Sequence, residues 1–249
     1  MAKNNAVISG TIHRIFKNEY DGKNFLNLTV AVQNTARTLE DGSHPQSYVP
    51  VGVSGPLADR ILEKVKEGLH VTLEGPFEVT QRKDKDPVYR VNAKTLNFQD
   101  CGYLNKVIVL GRLTHDPEIR RTADGTTVTT LSIAVDRNYR NKKGEWETIT
   151  SFIRINVWDK LAEQVQNDGY EKGKLLWVTG MLVSRKYEKD GKTYYPVEIT
   201  ADSIIDAGSG KYFVEDESGQ TSGTDKEEPP YGVYDNDFTE VDDEELPFD

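Results

Sequence analysis

The first 207 residues contain one sequence pattern twice. Asn5–Gly10 returns as Asn105–Gly111. The other matches pair Leu28–Val32 with Leu131–Val135, Lys66–Gly68 with Glu171–Gly173, Gly75 with Gly180, and Tyr89–Val91 with Tyr195–Val197. The offset between matched residues grows steadily from 101 to 106, as small loop insertions produce. Solenoids repeat every ~20–50 residues, so this much longer period predicts a tandem duplication of one domain.

Each copy has the pattern of five strands with one helix between the third and the fourth. Asp-Gly and Lys-Gly turns separate the strands of the second copy. There we expect strands near 105–114, 127–136, 148–158, 174–187 and 193–205, and a helix near 159–170. This order is that of the OB-fold, a small Greek-key barrel that often binds oligonucleotides. We therefore predict an all-β chain with two tandem OB-fold barrels, over 1–100 and 101–207.

Capping residues and apolar spacing predict where the two helices begin. Asp159 is the expected N-cap of the second helix, and Ser54, two residues before Pro56, is the expected N-cap of the first. The residues expected on the core face of the first helix are Leu57, Ile61, Leu62 and Val65. Gly68 is expected to end it.

The charge of the chain is concentrated at its C-terminal end. The segment 208–249 holds 14 acidic residues against Lys211 and Lys226, a net charge of −12, whereas the preceding 207 residues carry +2. Glycine and proline interrupt this segment, and aliphatic residues are sparse until its last positions. It is predicted to be a disordered acidic tail. A purely solubilising extension is the alternative interpretation of the same composition.

The strand expected to end at Trp158 has an unusual outer face. Ile153, Ile155 and Val157 alternate toward the core, which leaves the other parity facing water. The outward residues are Phe152, Arg154, Asn156 and Trp158. Two aromatic rings around an arginine are typical of single-stranded nucleic-acid sites, where bases stack on rings and cations contact phosphates. The alternative is that the two rings cover a second sheet or a dimer interface.

Neighbouring segments favour binding over an interface. Tyr139 begins a basic loop that includes Lys142, and Arg185 and Lys186 precede Tyr187 at the end of the fourth strand. Aromatic and basic residues thus recur together three times in one copy.

The matching strand of the first copy carries less of this pattern. Its outward residues are Tyr48, Pro50, Gly52 and Ser54. Only Tyr48 offers a ring for stacking, and Pro50 cannot donate to a sheet ladder. The first copy is therefore expected to have a degenerate binding face, and the second copy to supply the main one.

The second copy and the end of the tail resemble the bacterial single-stranded DNA-binding proteins. Asn105–Arg120 is similar to the opening strand and loop of that family, Trp158–Glu163 to its helix start, and Asp242–Phe248 to its acidic tip. The resemblance implies stacking residues at Tyr139, Phe152, Trp158 and Tyr187. It implies phosphate contacts at Lys142, Arg154, Lys160, Lys172, Arg185 and Lys186. Lys160 and Lys172 rest on the resemblance alone.

The family resemblance also implies partners. Two barrels in one chain resemble the branch of the family that reaches four OB-folds as a homodimer. The tip implies docking of replication and repair enzymes through Asp242, Asp243, Glu244, Glu245, Leu246, Pro247 and Phe248. In the family the phenylalanine is the last residue, whereas Asp249 follows Phe248 here. Either the partner tolerates Asp249, or this chain serves a replicon, such as a plasmid or phage, with different partners.

Other classes of function find little support in the sequence. There is no P-loop motif, the four histidines are scattered, and Cys101 is the single cysteine, so we expect no catalytic residue, metal, cofactor or small-molecule substrate. No apolar run approaches ~18–20 residues, so we expect no membrane segment and a cytoplasmic, nucleoid-associated protein. A nuclease, an interaction adaptor of the replication machinery and an RNA-binding OB-fold protein remain as alternatives.

Overall fold

The computed structural model describes residues 4–35, 38–82, 85–141, 143–185, 187–189, 192–194, 196–208, 214–215 and 221–222. The first half contains β1 (Asn4–Tyr20), β2 (Lys23–Gln33), β3 (Gln46–Ser54), α1 (Gly55–Ile61), β4 (His70–Gly75), β5 (Phe77–Arg82), β6 (Lys85–Asn92) and β7 (Thr95–Asn97). The second half contains β8 (Leu104–Leu113), β9 (Arg120–Arg121), β10 (Thr127–Arg140), β11 (Trp146–Trp158), α2 (Asp159–Asn167), β12 (Leu175–Ser184), β13 (Tyr187–Lys189), β14 (Lys192–Tyr194) and β15 (Val197–Asp206). Two short strands follow, β16 (Val214–Glu215) and β17 (Thr221–Ser222).

Both halves form the same five-stranded barrel, which confirms the predicted pair of OB-folds. In the first barrel, β1 pairs with both β2 and β4, β2 pairs with β3, and a parallel pairing of β3 with β6 continues the barrel. In the second barrel, β8 pairs with both β10 and β12, β10 with β11, and β11 lies parallel to β15. A single helix follows the third strand in each barrel.

The barrel interiors are filled by the alternating apolar residues of these strands. Ile8, Val30 and Val49 in the first barrel and Ile133 and Ile153 in the second are fully buried. Because side chains alternate along a strand, the opposite parity of each strand is left for the outer surface.

The first helix begins where predicted but ends before Gly68, and the second helix has a different N-cap. Ser54 is the N-cap residue of α1, but its side chain makes no capping hydrogen bond. The helix ends at Ile61, so Val65 is buried from the following turn rather than from the helix. Asp159 is wrong as an N-cap, because it is the first residue of α2 and Trp158 occupies the N-cap position. Trp158 is therefore both the last residue of β11 and the N-cap residue of α2. Its backbone is held by the strand on one side and by the helix on the other.

The two barrels are joined through their first strands. Thirteen strands of the described part of the chain form one sheet, in which β1 lies antiparallel to β8. Ala6 pairs with its repeat counterpart Val107, and the register runs outward symmetrically from this pair. The duplicated strands thus meet about a pseudo-two-fold axis, as identical strands do in an isologous dimer interface.

An asparagine clamp is repeated in each barrel. Asn4 donates its amide to the Phe77 carbonyl and accepts the Phe77 N–H at 3.2 Å. Asn105 does the same with Leu182, at 2.8 and 2.9 Å. Asn4, rather than Asn5, is therefore the structural counterpart of Asn105.

The repeat match of Tyr89–Val91 with Tyr195–Val197 also differs from the structural correspondence. Val51 lies beside Val91, whereas its counterpart Ile155 lies beside Ile199, so Val91 corresponds to Ile199 rather than to Val197. The β13–β14 hairpin precedes this point, and an insertion there accounts for the added offset.

Two side-chain contacts reinforce the junction between the barrels. The Tyr48 N–H donates to Ser184 Oγ at 2.8 Å, which ties β3 to β12. Arg137 Nε lies 3.0 Å from Glu78 Oε1, which ties β10 to β5. Beyond Gly208 the structure describes only β16 and β17, which pair with each other, so the rest of the predicted tail lies outside the described residues.

Candidate nucleic-acid interface

The outer face of β11 presents the predicted aromatic and basic residues. Phe152 is 45% exposed, Arg154 is exposed and Trp158 is partly buried, while Ile153 and Ile155 between them are fully buried. We call Phe152, Arg154 and Trp158 the β11 platform. The alternation predicted for these residues is confirmed.

Asn156 departs from the prediction because it is only 7% exposed. Its side-chain amide donates to Glu198 Oε2 at 2.7 Å, and its Oδ1 accepts from the Thr130 hydroxyl at 3.0 Å. These bonds hold the side chain against β10 and β15. Asn156 therefore positions the strand between Arg154 and Trp158, with both its oxygen and its amide already bonded.

The strand beside the β11 platform leaves the rings uncovered. Residues directly opposite in an antiparallel pair share a face. Phe152 is opposite Ala134, Arg154 is opposite Ser132, and Trp158 is opposite Val128. Because these neighbours are small, a flat ligand has access to the rings from the β10 side.

One arginine lies beside the Trp158 ring, and a second lies on the same strand face. The Arg185 guanidinium carbon is 5.8 Å from the centre of the Trp158 ring, and Arg185 Nε lies 3.7 Å from Glu198 Oε2. Arg154 has no hydrogen-bond or ion-pair partner among the described residues. An arginine held near a ring face and a second arginine on the same face suit alternating bases and phosphates.

Tyr139 does not lie on the β11 platform. The ladder between β10 and β11 continues without a register shift, so Tyr139 projects from the opposite face of the hairpin to Phe152. Its hydroxyl donates to Glu147, and this bond, with one from Asn141, holds the pKa of the Glu147 carboxyl below its usual value. The Arg137 guanidinium lies 5.8 Å from the ring centre. Tyr139 thus lies among polar and charged groups on the other side of the hairpin.

The two lysines assigned from the family resemblance occupy separate places. Lys160 is exposed in the first turn of α2 and lines a shallow depression with Trp158 and Thr127. Lys172 is exposed in the turn before β12, where its backbone N–H donates to Asp116 Oδ1 at 2.8 Å. Lys160 therefore adjoins the β11 platform, whereas no described contact links Lys172 to it.

Several predicted site residues lie outside the described residues. Lys142 and Lys186 are among them, and so is the side chain of Tyr187, whose backbone begins β13. The whole predicted docking tip is also outside: Asp242, Asp243, Glu244, Glu245, Leu246, Pro247 and Phe248.

Tyr48, the single ring predicted for the first barrel, lies at the junction between the barrels. It is 39% exposed, and its ring centre is 4.9 Å from that of His13. Since its backbone N–H is bonded to Ser184 of the second barrel, Tyr48 is fixed where the two barrels meet.

Trp146 is a candidate that the sequence analysis missed. It is 51% exposed, and the Arg140 guanidinium lies 5.1 Å from its ring centre. By alternation along β11 it shares the outer face with Phe152. The predicted strand begins at residue 148, so the prediction places Trp146 in the preceding loop. A strand predicted to start at residue 146 would place Trp146 on the same outward face as Phe152.

Within the described residues no group of three or more histidine, cysteine, aspartate or glutamate side chains is arranged to hold a metal ion. None of the helices in the described part of the chain is long and apolar enough to cross a membrane.

Comparison with known proteins identifies relatives of both the second barrel and the whole structure. Residues 104–205 match the model of the single-strand binding protein family. Single-stranded DNA-binding protein 1 of Staphylococcus aureus (strain MSSA476) is 38% identical over 159 residues, which is 58% of this chain and 99% of that protein. Single-stranded DNA-binding protein 2 of Streptococcus agalactiae (strain NEM316) is 44% identical over 100 residues, which is 40% of this chain and 74% of that protein.

A solved structure covers both barrels. The wild-type single-stranded DNA-binding protein of Thermus aquaticus superposes with a TM-score of 0.67 at 25% identity, over 85% of this chain and 96% of that one. The near-complete coverage of the Staphylococcus aureus relative, together with the family match of the second barrel, shows that this chain belongs to the single-strand binding protein family.

Proposed function

We propose that this chain is a non-catalytic protein that binds single-stranded DNA with little regard to sequence. It coats exposed strands during replication, recombination and repair, in the cytoplasm at the nucleoid. The observation that carries the proposal is the β11 platform, in which two accessible rings flank an arginine over a buried strand core. Membership of the family, whose named relatives bind single-stranded DNA, supports the same ligand.

The binding mechanism combines stacking with neutralisation of phosphates. Every base has an aromatic face, so stacking on Phe152 and Trp158 is tolerant of sequence. Arg154, Arg185 and Lys160 lie beside these rings and supply the positive charge that the backbone of the DNA requires. Lys142, Lys172, Lys186, Tyr139 and Tyr187 are proposed to extend the contact around the second barrel.

The proposed division of the chain assigns a role to each part. Residues 101–207 supply the main binding surface. Residues 1–100 have a degenerate binding face and contribute mainly phosphate contacts and assembly surface. Residues 208–249 are the tail that recruits replication and repair enzymes. A homodimer would bring four OB-folds together. A short apolar tip behind a run of carboxylates suits a basic pocket on a partner, because charge attracts it and burial of Phe248 fixes it.

Titration of the full chain with poly(dT) tests the proposal. We expect strong, stoichiometric quenching of tryptophan fluorescence, because a base stacked on Trp158 quenches its emission. The salt dependence should be steep, since displaced counterions drive part of the binding. Double-stranded DNA of the same length is the control and should quench weakly. Absence of both quenching and binding in a gel-shift assay would exclude the proposed ligand.

Removal of the acidic tail is expected to strengthen DNA binding at low salt. The tail carries a net charge of −12 and competes with DNA for the basic groups of the barrels. Deletion of residues 208–249 should tighten poly(dT) binding roughly three- to tenfold at low ionic strength, and the gain should shrink as salt rises. A full-length control with the tail carboxylates changed to amides should behave like the deletion. Unchanged affinity of both variants at low salt would contradict the competition.

A further inference from the structure

The first barrel carries an aromatic ring where the sequence analysis found none. In the second barrel Trp158 on β11 is opposite Val128 on β10. At the matching cross-strand pair of the first barrel, Ser54 on β3 is opposite Phe25 on β2. Each barrel therefore has one ring at this cross-strand pair. The ring is on β11 in the second barrel and on β2 in the first. Phe25 is partly exposed on this outer face.

A second ring lies beside Phe25. In the first barrel β1 runs on as a long hairpin with β2, whereas in the second barrel a loop and the short strand β9 take its place. Phe16 on β1 is opposite Asn27, so it shares the outer face with Phe25, its diagonal neighbour. Diagonal neighbours lie about 7–8 Å apart. Phe16 is 57% exposed, more than Phe152 at 45%.

The other face of this hairpin is anchored to the region of α1. Lys17 Nζ donates to the Leu62 carbonyl at 2.8 Å, and the Asn24 amide donates to Asp59 Oδ1 at 2.7 Å. Ile15, between Phe16 and the barrel, packs against the core. Because one face is fixed to the barrel, the hairpin holds Phe16 and Phe25 outward in a defined orientation.

The charge on this outer face is positive. Arg14 and Lys23 share the parity of Phe16 and Phe25, and no carboxylate has this parity along residues 14–20, 23–31 and 46–54, all of which are described. Glu19 projects from the opposite face of the hairpin.

Arg90 adds a third cation to the same face. Its side chain crosses Gly52 of β3, with Cδ 3.5 Å from the point where a side chain on Gly52 would begin. Arg90 Nε is buried and has no hydrogen-bond partner among the described residues. Glu78 is opposite Arg90 on the same face, but its carboxylate is bonded to Asn92 and paired with Arg137. Arg90 as a whole is only partly buried, so its positive charge can act on an anion, such as a phosphate, at this face.

We infer that Arg14, Phe16, Lys23, Phe25 and Arg90, named the first-barrel face, form a second binding surface for single-stranded DNA. Bases stack on Phe16 and Phe25, and Arg14 and Arg90 contact the phosphates between them. The inference rests on the proposed function and extends it, because the first barrel then contacts bases as well as phosphates. A second copy of this chain is the other occupant that an exposed ring would suit. The three cations Arg14, Lys23 and Arg90, against the one carboxylate Glu78 that is already paired with Arg137, favour a polyanion.

The test uses the full chain and the variants Phe16→Ala, Arg90→Gln and Phe16→Trp. Phe16→Ala should weaken binding to a long dT oligonucleotide by about fivefold or more, as expected for the loss of one stacked base. Arg90→Gln should reduce the steepness of the salt dependence. Phe16→Trp retains a ring and should bind like the parent chain. Ile205→Ala is the matched control, because Ile205 is also 57% exposed but lies on β15.

Photocrosslinking and mass measurement separate the possible failures. An oligonucleotide with 5-iodouracil should crosslink to Phe16 or Phe25 as well as to the second barrel. Unchanged affinity of Phe16→Ala, with crosslinks confined to the second barrel, would overturn the inference and leave the proposed function intact. A smaller mass of Phe16→Ala by light scattering would also overturn it, since the face would then join copies of the chain. Failure of the parent chain to bind DNA would instead remove the proposed function itself.

Discussion

Replacement of Phe152 and Trp158 together by alanine is expected to weaken poly(dT) binding by at least about 30-fold. Each stacked base contributes ~1–3 kcal/mol, so the loss of two rings costs ~2–6 kcal/mol of binding free energy. The two rings have small neighbours on β10 and are accessible to a ligand. The alanine variant therefore loses mainly the area on which bases stack. Affinity is measured by fluorescence anisotropy of a labelled dT oligonucleotide, because the variant also removes the Trp158 signal.

Conservative variants distinguish loss of stacking from loss of fold. Phe152→Tyr with Trp158→Phe retains both rings and should bind within a fewfold of the parent chain. Thermal unfolding of the alanine variant reports on the barrel, because Trp158 is partly buried at the start of α2. A folded alanine variant with parental affinity would contradict the stacking role. The rings would then cover an interface between subunits, and the mass of the variant in solution should fall.

The sequence was informative wherever the evidence was local. Alternation along one strand predicted that Ile153 and Ile155 are buried and that Phe152 and Arg154 face outward, and the structure confirms both. The repeat predicted two barrels, because each copy carries its own complete set of strands. These features depend on the period of a single strand or on the comparison of two segments, both of which are visible in the sequence.

Features that depend on pairing between strands were not predictable in this way. Asn156 has the outward parity, but its bonds to Thr130 and Glu198 bury it, and both partners are distant in sequence. Tyr139 and Phe152 are both predicted as stacking residues, although the register of the ladder places them on opposite faces of the hairpin. Phe25 lies on β2, whereas the prediction for the first barrel depends on the residues of β3 alone.

The glycines conserved between the two copies gained a physical explanation only from the structure. At Gly10 a Cβ atom would lie 2.1 Å from the Ala31 carbonyl oxygen, and at Gly111 it would lie 2.4 Å from that of Ala134. At these points β1 passes from its pairing with β4 to its pairing with β2, and β8 passes from β12 to β10. Glycine permits this close approach of two backbones at a barrel corner.

Gly111→Ala is therefore expected to destabilise the protein by about 3 kcal/mol, the upper end of the usual cost of overpacking. The clash involves a carbonyl oxygen of the backbone, so β8 or β10 must move. Urea unfolding followed by tryptophan fluorescence measures the effect, because Trp146, Trp158 and Trp177 all lie in the second barrel. Gly144→Ala is the control: its φ is +80° with nothing nearby, so only backbone strain of ~1–2 kcal/mol is expected. Equal destabilisation by the two substitutions would contradict the corner interpretation.

Gly10→Ala extends this test to the junction between the barrels. The substitution is in the first barrel, whereas the tryptophans report on the second. The symmetric pairing of β1 with β8 makes each strand an internal member of the shared sheet, so loss of one barrel exposes an edge of the other. Gly10→Ala should therefore shift the tryptophan transition as well as the circular dichroism transition. A shift of the circular dichroism transition alone would show that the barrels unfold independently despite their shared sheet.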